Sequence, residues 1–274
     1  VTEDFPASCC TVTNEGSRSK SMANLAKYPV AVLALSFFVM WVSARIGLLF
    51  RSRKPNLAED ARQDLDLIVA GALTLLGLII GFSFSMAISR YDQRKTYEEA
   101  EANAIGTEYV RADLLSAAGA ERVRALLKEY VDQRVLFYGT RDEGELQRIN
   151  ARTAQLQSEL WSTVMGPTAT ERTAVLALAV SGMNDVLNSQ GYTQAIWWNR
   201  IPPGAWLLMA AVAICSNLLV GYCTRRPGAG IIRSMVLPFV LSISFFAIAD
   251  IDSPRRGLIR VRPQNLISLV HSLH

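Results

Sequence analysis

Four long apolar segments, separated by polar sequence, dominate the pattern of this 274-residue chain. They cover residues 28–50, 67–88, 203–223 and 231–251. An apolar helix of about 18 residues or more is long enough to cross the hydrocarbon core of a bilayer, which is roughly 30 Å thick. The pattern therefore predicts an all-α fold, that of a polytopic membrane protein with four transmembrane helices.

The polar sequence between the second and third apolar segments is long enough for a small helical domain. From residue 90 to 200, apolar positions recur every three or four residues, as at Ala102, Ile105 and Tyr109, which predicts amphipathic helices. We therefore predict a helical extramembrane insertion between transmembrane helices 2 and 3. Four carboxylates lie mostly off the first apolar face, and we interpret them as solvent-exposed: Glu98, Glu99, Glu101 and Glu108.

These segments divide the chain into five parts. They are a disordered N-terminal tail (1–27), transmembrane helices 1 and 2 (28–89), the helical extramembrane domain (90–200), transmembrane helices 3 and 4 (201–252) and a C-terminal tail (253–274). The first part has no hydrophobic periodicity, which is typical of disorder. Basic residues do not orient the chain, because their total number and their density in short loops favour opposite sides of the membrane.

Composition narrows the classes of function. The net charge of +4 is ordinary for a protein that meets anionic lipid, and it gives no indication of nucleic-acid binding. The only histidines are His271 and His274, and the four cysteines do not have the spacing of a disulfide framework or a zinc site. The sequence contains no phosphate-binding loop or nucleophile motif. We therefore expect no enzyme activity, no catalytic residue, no metal ion and no cofactor.

The second apolar segment carries two different stripes of residues. One has small residues at every fourth position: Gly77, Gly81, Ser85 and Ser89. The other has bulky apolar side chains at the same spacing: Ile80, Phe84 and Ile88. The small stripe is suited to close helix packing or to lining a pore. The bulky stripe would face lipid or other helices.

Two segments, one after the second apolar run and one that begins at the end of the fourth, carry a more specific pattern. Residues 94–115 read RKTYEEAEANAIGTEYVRADLL, and residues 247–263 read AIADIDSPRRGLIRVRP. Together with the order of the elements, they resemble the bestrophin-like domain family of bacterial membrane proteins, over roughly residues 22–264. The residues of the second segment that carry this resemblance are Asp250, Asp252, Pro254 and Gly257.

The resemblance implies an oligomeric ion channel. Bestrophins are pentameric anion channels in which the second helix lines the pore and carries a hydrophobic neck of Ile and Phe side chains. By analogy we expect a homo-oligomer, a pentamer, in a bacterial inner membrane, with anions as the conducted ions and with Ile80, Phe84 and Ile88 at the constriction. Its partners would be further copies of itself, the lipid bilayer and ions. The alternative is a non-conducting membrane scaffold or sensor whose helical insertion binds a partner.

One feature of calcium-gated bestrophins is missing. They carry a dense acidic run after the fourth helix, whereas this chain has only Asp250 and Asp252 there. Two carboxylates are too few for the shell of about six to eight oxygens that calcium requires. We expect instead that these residues end the fourth helix and pair with Arg255, Arg256 or Arg260.

Overall fold

The computed structural model describes residues 28–53, 59–168, 173–224 and 231–273, so the predicted disordered tail of residues 1–27 lies outside the described residues. The described ranges contain α-helices and one 3-10 turn, Ala112–Leu114, but no strand, which confirms the predicted all-α class. The helices are α1 (Pro29–Arg53), α2 (Glu59–Arg111), α3 (Ala117–Gly139), α4 (Glu143–Thr168), α5 (Ala174–Trp198), α6 (Pro203–Cys223), α7 (Ile231–Asp252) and α8 (Gln264–Leu273).

Four helical stretches are long and apolar enough to cross a membrane: Pro29–Arg51, Gln63–Leu114, Ala174–Cys223 and Met235–Asp252. The four apolar segments identified in the sequence lie in α1, α2, α6 and α7. Helix α2 has 53 residues and is therefore about 80 Å long, much longer than a bilayer core is thick. One continuous helix thus joins the second apolar segment to the polar insertion.

The apolar residues form two separate cores. The membrane core lies between α1, α2, α6 and α7 and contains Leu76, Met209 and Phe245. The insertion core lies between the C-terminal half of α2 and helices α3, α4, α5 and α8, with Ile105 and Tyr130 fully buried. The helical insertion predicted from the amphipathic pattern is therefore present as a compact unit with its own core.

Helices α1 and α6 pack closely through small residues. A Cβ atom at Gly47 would overlap the carbonyl oxygen of Leu218, and one at Gly221 would overlap the carbonyl oxygen of Ala44. Only glycine lets the two backbones approach this closely, as is common where membrane helices pack through small residues. This seam joins transmembrane helices 1 and 3 and does not involve the glycines of α2.

The predicted C-terminal tail is partly helical and belongs to the insertion core. The Glu98 carboxylate accepts hydrogen bonds from the backbone N–H of Leu266 (2.9 Å) and from the side-chain amide of Asn265 (2.7 Å), both in the first turn of α8. A carboxylate at a helix N-terminus satisfies free N–H groups and is favoured by the helix dipole. Glu98 therefore fixes α8 against α2, with Leu266 buried.

Candidate functional site

Within the apolar segment 67–88, the sides of α2 have very different surroundings. The side that packs on the membrane core is buried and includes Leu76, Ser83 and Ala87. Ser85 follows Leu76 by nine positions, or about two and a half helical turns, and therefore lies on the opposite side of the helix. Ser85 is exposed. We call this side, which no other part of the described chain covers, the open side of α2.

The small-residue stripe lies on and beside the open side. Gly77, Gly81, Ser85 and Ser89 are all exposed. A Cβ atom at Gly77 or Gly81 would meet no other atom within 4 Å. No helix of the described chain packs on the two glycines, so within one chain this stripe does not act as the packing seam that small residues usually form.

The predicted ladder of bulky residues lies on a flank of α2. Ile80 is half-buried and packs against the membrane core of its own chain. Phe84 and Ile88 are 38% and 39% exposed. Positions four residues apart advance by about 40° around a helix, so the three side chains move progressively from the buried side towards the open side.

A second apolar pair on α2 is more exposed than the members of this ladder. Leu78 and Phe82 are 54% and 66% exposed and are spaced four residues apart, as Phe84 and Ile88 are. The sequence does not distinguish this pair from the ladder, because both sets of residues have the same spacing and the same chemistry. Only the burial pattern shows which set turns away from the body of its own chain.

The C-terminal motif forms a turn that folds back on the end of α7. The two carboxylate oxygens of Asp250 accept hydrogen bonds from the backbone N–H groups of Leu258 (2.6 Å) and Ile259 (2.8 Å). A Cβ atom at Gly257 would overlap the carbonyl oxygen of Asp250, and Pro254 is buried. Asp250, Pro254 and Gly257 thus shape this turn.

Asp252, also in this motif, connects α7 to two other parts of the chain. Its carboxylate accepts hydrogen bonds from the backbone N–H of Ile201 (3.1 and 3.3 Å) and pairs with Arg90 (3.4 Å). The Arg94 guanidinium donates to the carbonyl oxygen of Ile251 at 3.1 Å. These contacts fasten α2 to the end of α7 and to the start of α6.

The predicted pairing of Asp250 and Asp252 with Arg255, Arg256 or Arg260 is wrong. The turn brings backbone N–H groups to Asp250, and Asp252 reaches Arg90 on α2. Arg255 donates instead to the carbonyl oxygens of Phe137 and Thr140. Both carboxylates therefore have structural partners that sequence spacing alone does not indicate.

A buried polar cluster holds α2 to the insertion helices α3 and α5. The Arg134 guanidinium pairs with the Glu101 carboxylate, and both side chains are fully buried. Glu101 also accepts hydrogen bonds from the hydroxyls of Thr193 (3.0 Å) and Tyr138 (3.5 Å). Burial alone would lower the pKa of Arg134, but the adjacent Glu101 outweighs this effect and raises it.

The interpretation of the α2 carboxylates as solvent-exposed is wrong for three of the four. Glu99 is exposed, whereas Glu98, Glu101 and Glu108 are buried. Neither oxygen of Glu108 has a hydrogen-bond partner within the described ranges. Burial raises the pKa of Glu108 to about 7, against the opposing effect of Arg111. Glu98 contacts α8, Glu101 contacts α3 and α5, and Glu108 lies against Gly182 of α5. Periodicity does not reveal these contacts.

Comparisons with solved structures find the same architecture in bacterial proteins. A bestrophin homologue from Klebsiella pneumoniae has a TM-score of 0.59 at 12% sequence identity, over 89% of this chain and 96% of that chain. A point mutant of a bestrophin homologue from the same organism has a TM-score of 0.58 at 12% identity, over 89% and 97% of the two chains. Another similar structure, described only as a membrane protein variant, has a TM-score of 0.60 at 11% identity.

At such identities the structural likeness shows the fold, and sequence comparison supplies the family. Among curated proteins, none matches the chain by sequence. The sequence model of the Bestrophin-like domain family matches residues 36–266, which is most of the chain. This match agrees with the resemblance found in residues 94–115 and 247–263. The chain belongs to the Bestrophin-like domain family.

Proposed function

We propose that this protein is a homo-oligomeric ion channel of a bacterial inner membrane, with the open side of α2 lining its pore. The observation that carries the proposal is the uncovered stripe of glycine and serine in an otherwise apolar span. Helix surfaces that face lipid gain nothing from exposed hydroxyl groups, whereas surfaces that face a neighbouring helix or water do. Several copies arranged around an axis would give this stripe such surroundings.

The packing within one chain supports α2 as the innermost helix of such a ring. Helices α6 and α7 pack on its buried side, and α1 packs on α6 and α7. Each copy would therefore turn the open side of α2 away from its own body and towards the axis or the adjacent copy. Five copies are the number that the family analogy implies.

We place the constriction at Leu78 and Phe82, which flank the stripe on α2 and are more exposed than the ladder residues Phe84 and Ile88. The Phe82 side chain is 66% exposed in the single chain, whereas Phe84 is 38% exposed and Ile80 packs against the membrane core. Rings of apolar side chains around an axis gate a pore by excluding water from it. The competing arrangement is the ladder predicted from the sequence, Ile80, Phe84 and Ile88. In that arrangement its two exposed members, Phe84 and Ile88, would form the constriction.

The exposed charges on α2 bear on ion selectivity. Asp64, before the apolar segment, and Asp92 and Glu99, after it, are exposed carboxylates; Lys95 is an exposed cation near the latter pair. Rings of carboxylates favour cations in a pore. The family analogy implies anions, whereas these residues favour cations, and the reversal potential under a salt gradient distinguishes the two.

The two phenylalanines provide a matched test in planar lipid bilayers. Purified wild-type protein, Phe82→Ala and Phe84→Ala are compared by their unitary conductance and open probability. We expect ionic current from the wild type, and an increase in open probability or conductance for Phe82→Ala that exceeds any change for Phe84→Ala. A larger effect of Phe84→Ala would favour the ladder predicted from the sequence. Absence of current from all three proteins would favour the non-conducting scaffold or sensor.

A further inference from the structure

A cavity of about 170 Å³ lies where the ends of α3, α5 and α7 meet. Four arginines line it: Arg141, Arg200, Arg255 and Arg256. Arg200 lies three residues before α6, and Arg255 and Arg256 follow α7 closely. Because α6 and α7 contain two of the membrane-spanning segments, this cavity lies where those segments join the insertion.

Of the four guanidinium groups, only that of Arg255 donates hydrogen bonds within the described residues. Arg255 donates to the carbonyl oxygens of Phe137 (2.8 Å) and Thr140 (3.3 Å) and lies over the rings of Phe137 and Trp197 at 4.6 and 4.5 Å. Burial lowers the pKa of Arg255 to about 10, so it remains protonated at neutral pH. The other three arginines have no hydrogen bond or ion pair within the described residues, although Arg256 stacks on Tyr28.

The cavity has an excess of positive charge. Its two carboxylates are Asp142 and Glu143. The Asp142 carboxylate accepts a hydrogen bond from the backbone N–H of Glu145 at 2.8 Å, within the first turn of α4. Four guanidinium groups thus face two carboxylates, one of which is already engaged. Guanidinium groups in this number favour a phosphate ligand, to which each can donate two hydrogen bonds.

Two buried polar atoms belong to residues that line the same cavity and have no hydrogen-bond partner among the residues that the structure describes. They are the indole N–H of Trp197 and the side-chain oxygen of Asn150. Buried polar atoms are nearly always paired. A phosphoglycerol headgroup, which carries anionic oxygens and hydroxyl groups, would pair with these atoms once the Trp197 and Asn150 side chains turn towards the cavity.

A second, apolar cavity lies between α1 and α6. It has a volume of about 190 Å³ and is lined by Leu35 and Val39 of α1, Trp206 and Ala210 of α6 and Phe245 of α7, among other apolar side chains. Its lining contains little polar surface, which suits an acyl chain. We call it the acyl groove.

The acyl groove and the arginine-lined cavity lie at the same end of the membrane helices. Arg256 lines the cavity and stacks on Tyr28 at 4.5 Å, and Tyr28 immediately precedes α1. Arg200 lines the cavity and Trp206 lines the groove, six residues further along the chain. Six residues span at most about 20 Å, which is within the length of one phospholipid molecule.

We propose that the arginine-lined cavity binds the headgroup of an anionic phospholipid whose acyl chain occupies the acyl groove between α1 and α6. The positive excess selects an anionic headgroup over a zwitterionic one. The adjoining apolar groove selects a lipid over free phosphate. This site is separate from the open side of α2, so the proposal holds whether or not the protein conducts ions.

The test uses full-length protein stripped of lipid in a neutral detergent. Its thermal unfolding is followed during titration with dioctanoyl phosphatidylglycerol, dioctanoyl phosphatidylcholine or inorganic phosphate, and the midpoint shift gives an apparent Kd. We expect phosphatidylglycerol to bind most tightly. The double variant Arg200→Gln and Arg256→Gln should weaken its binding about tenfold. The control Arg122→Gln and Arg148→Gln makes the same charge change outside the cavity and should leave the Kd unchanged.

A third variant distinguishes a lipid from a free anion. Ala210→Phe fills the acyl groove without altering any arginine, and it should weaken phosphatidylglycerol binding as well. Equal affinity for phosphatidylcholine, or equal weakening by the control variant, would contradict the anionic headgroup. Binding of inorganic phosphate as tight as that of phosphatidylglycerol, with no effect of Ala210→Phe, would overturn the lipid and leave a free-anion site.

Discussion

The two halves of α2 differ in the surroundings of their polar side chains, which are exposed in one half and buried in the other. In residues 67–88, the small and hydroxyl-bearing side chains of the stripe, such as Ser85, lie on a surface that nothing in the described chain covers. In the insertion, the charged side chains of Glu98 and Glu101 are buried and accept hydrogen bonds from α8, α3 and α5. In the insertion half of this continuous helix, Glu98 and Glu101 are paired within the chain. In the membrane half, the polar stripe is covered by no other part of the described chain.

This difference indicates where the protein depends on other molecules. A buried charge is costly unless it is paired and hydrogen-bonded, and the insertion meets this condition at Glu101 with groups of its own chain. The open side of α2 has no such partners within the chain. We therefore expect the insertion to set the stability of the single chain and the membrane half of α2 to meet further copies, water or lipid.

The largest effect is expected from breaking the buried pair of the insertion. Arg134→Met would leave the Glu101 carboxylate buried without its cation and should lower the free energy of unfolding by about 3–5 kcal/mol. Thermal or chemical unfolding in detergent measures this loss. The matched control is Arg122→Met, which removes a surface pair with Glu159 at 3.2 Å and should cost about 1 kcal/mol or less. Equal losses for the two variants would contradict the assignment of the buried pair as the anchor of α2.

Ionisation of Glu108 is expected to have a smaller effect on the free energy of unfolding, and this effect depends on pH. Because burial raises the pKa of this carboxyl from 4.5 to about 7, the folded protein binds the proton more tightly than the unfolded chain does. Stability is therefore fully present below pH 4.5 and is lost as the pH rises from about 4.5 through 7. The loss should be on the order of 2–3 kcal/mol.

The variant Glu108→Gln checks this assignment. It keeps the shape of the side chain but cannot ionise, so the unfolding midpoint should fall less between pH 5 and pH 8 than it does for the wild type. Glu99→Gln removes an exposed carboxylate from the same helix and should retain the wild-type pH dependence. If Glu108→Gln also keeps that dependence, the titrating group lies elsewhere.

The sequence was sufficient for the fold because its main signals are local. Four apolar runs predict the membrane helices, and recurring residues such as Ala102 and Ile105 predict the amphipathic helices of the insertion. The structure confirms that these segments are helical, and it has four helical stretches long and apolar enough to cross a membrane. The continuity of α2 across the end of its apolar segment also follows, since no glycine or proline interrupts residues 88–105.

The sequence was insufficient where partners are distant along the chain. Glu101 meets Thr193, 92 positions away, and Asp252 meets Arg90, 162 positions away. Periodicity does not indicate such pairings. It predicts a solvent-exposed Glu101, and sequence proximity pairs Asp252 with the wrong arginines. The same limit applies to the constriction, because Phe82 and Phe84 differ only in which side of α2 they occupy.

The central claim, that the open side of α2 lines an aqueous pore, is tested most directly by two serines of this helix. Ser83 is buried against its own chain, and Ser85, two residues later, is exposed on the open side. Each is replaced by cysteine in a protein whose four native cysteines are changed to serine. A charged, water-soluble thiol reagent is then applied during current recording. We predict that the reagent alters the current of Ser85→Cys and leaves that of Ser83→Cys unchanged. An unreactive Ser85→Cys protein, or equal responses of the two, would contradict the claim.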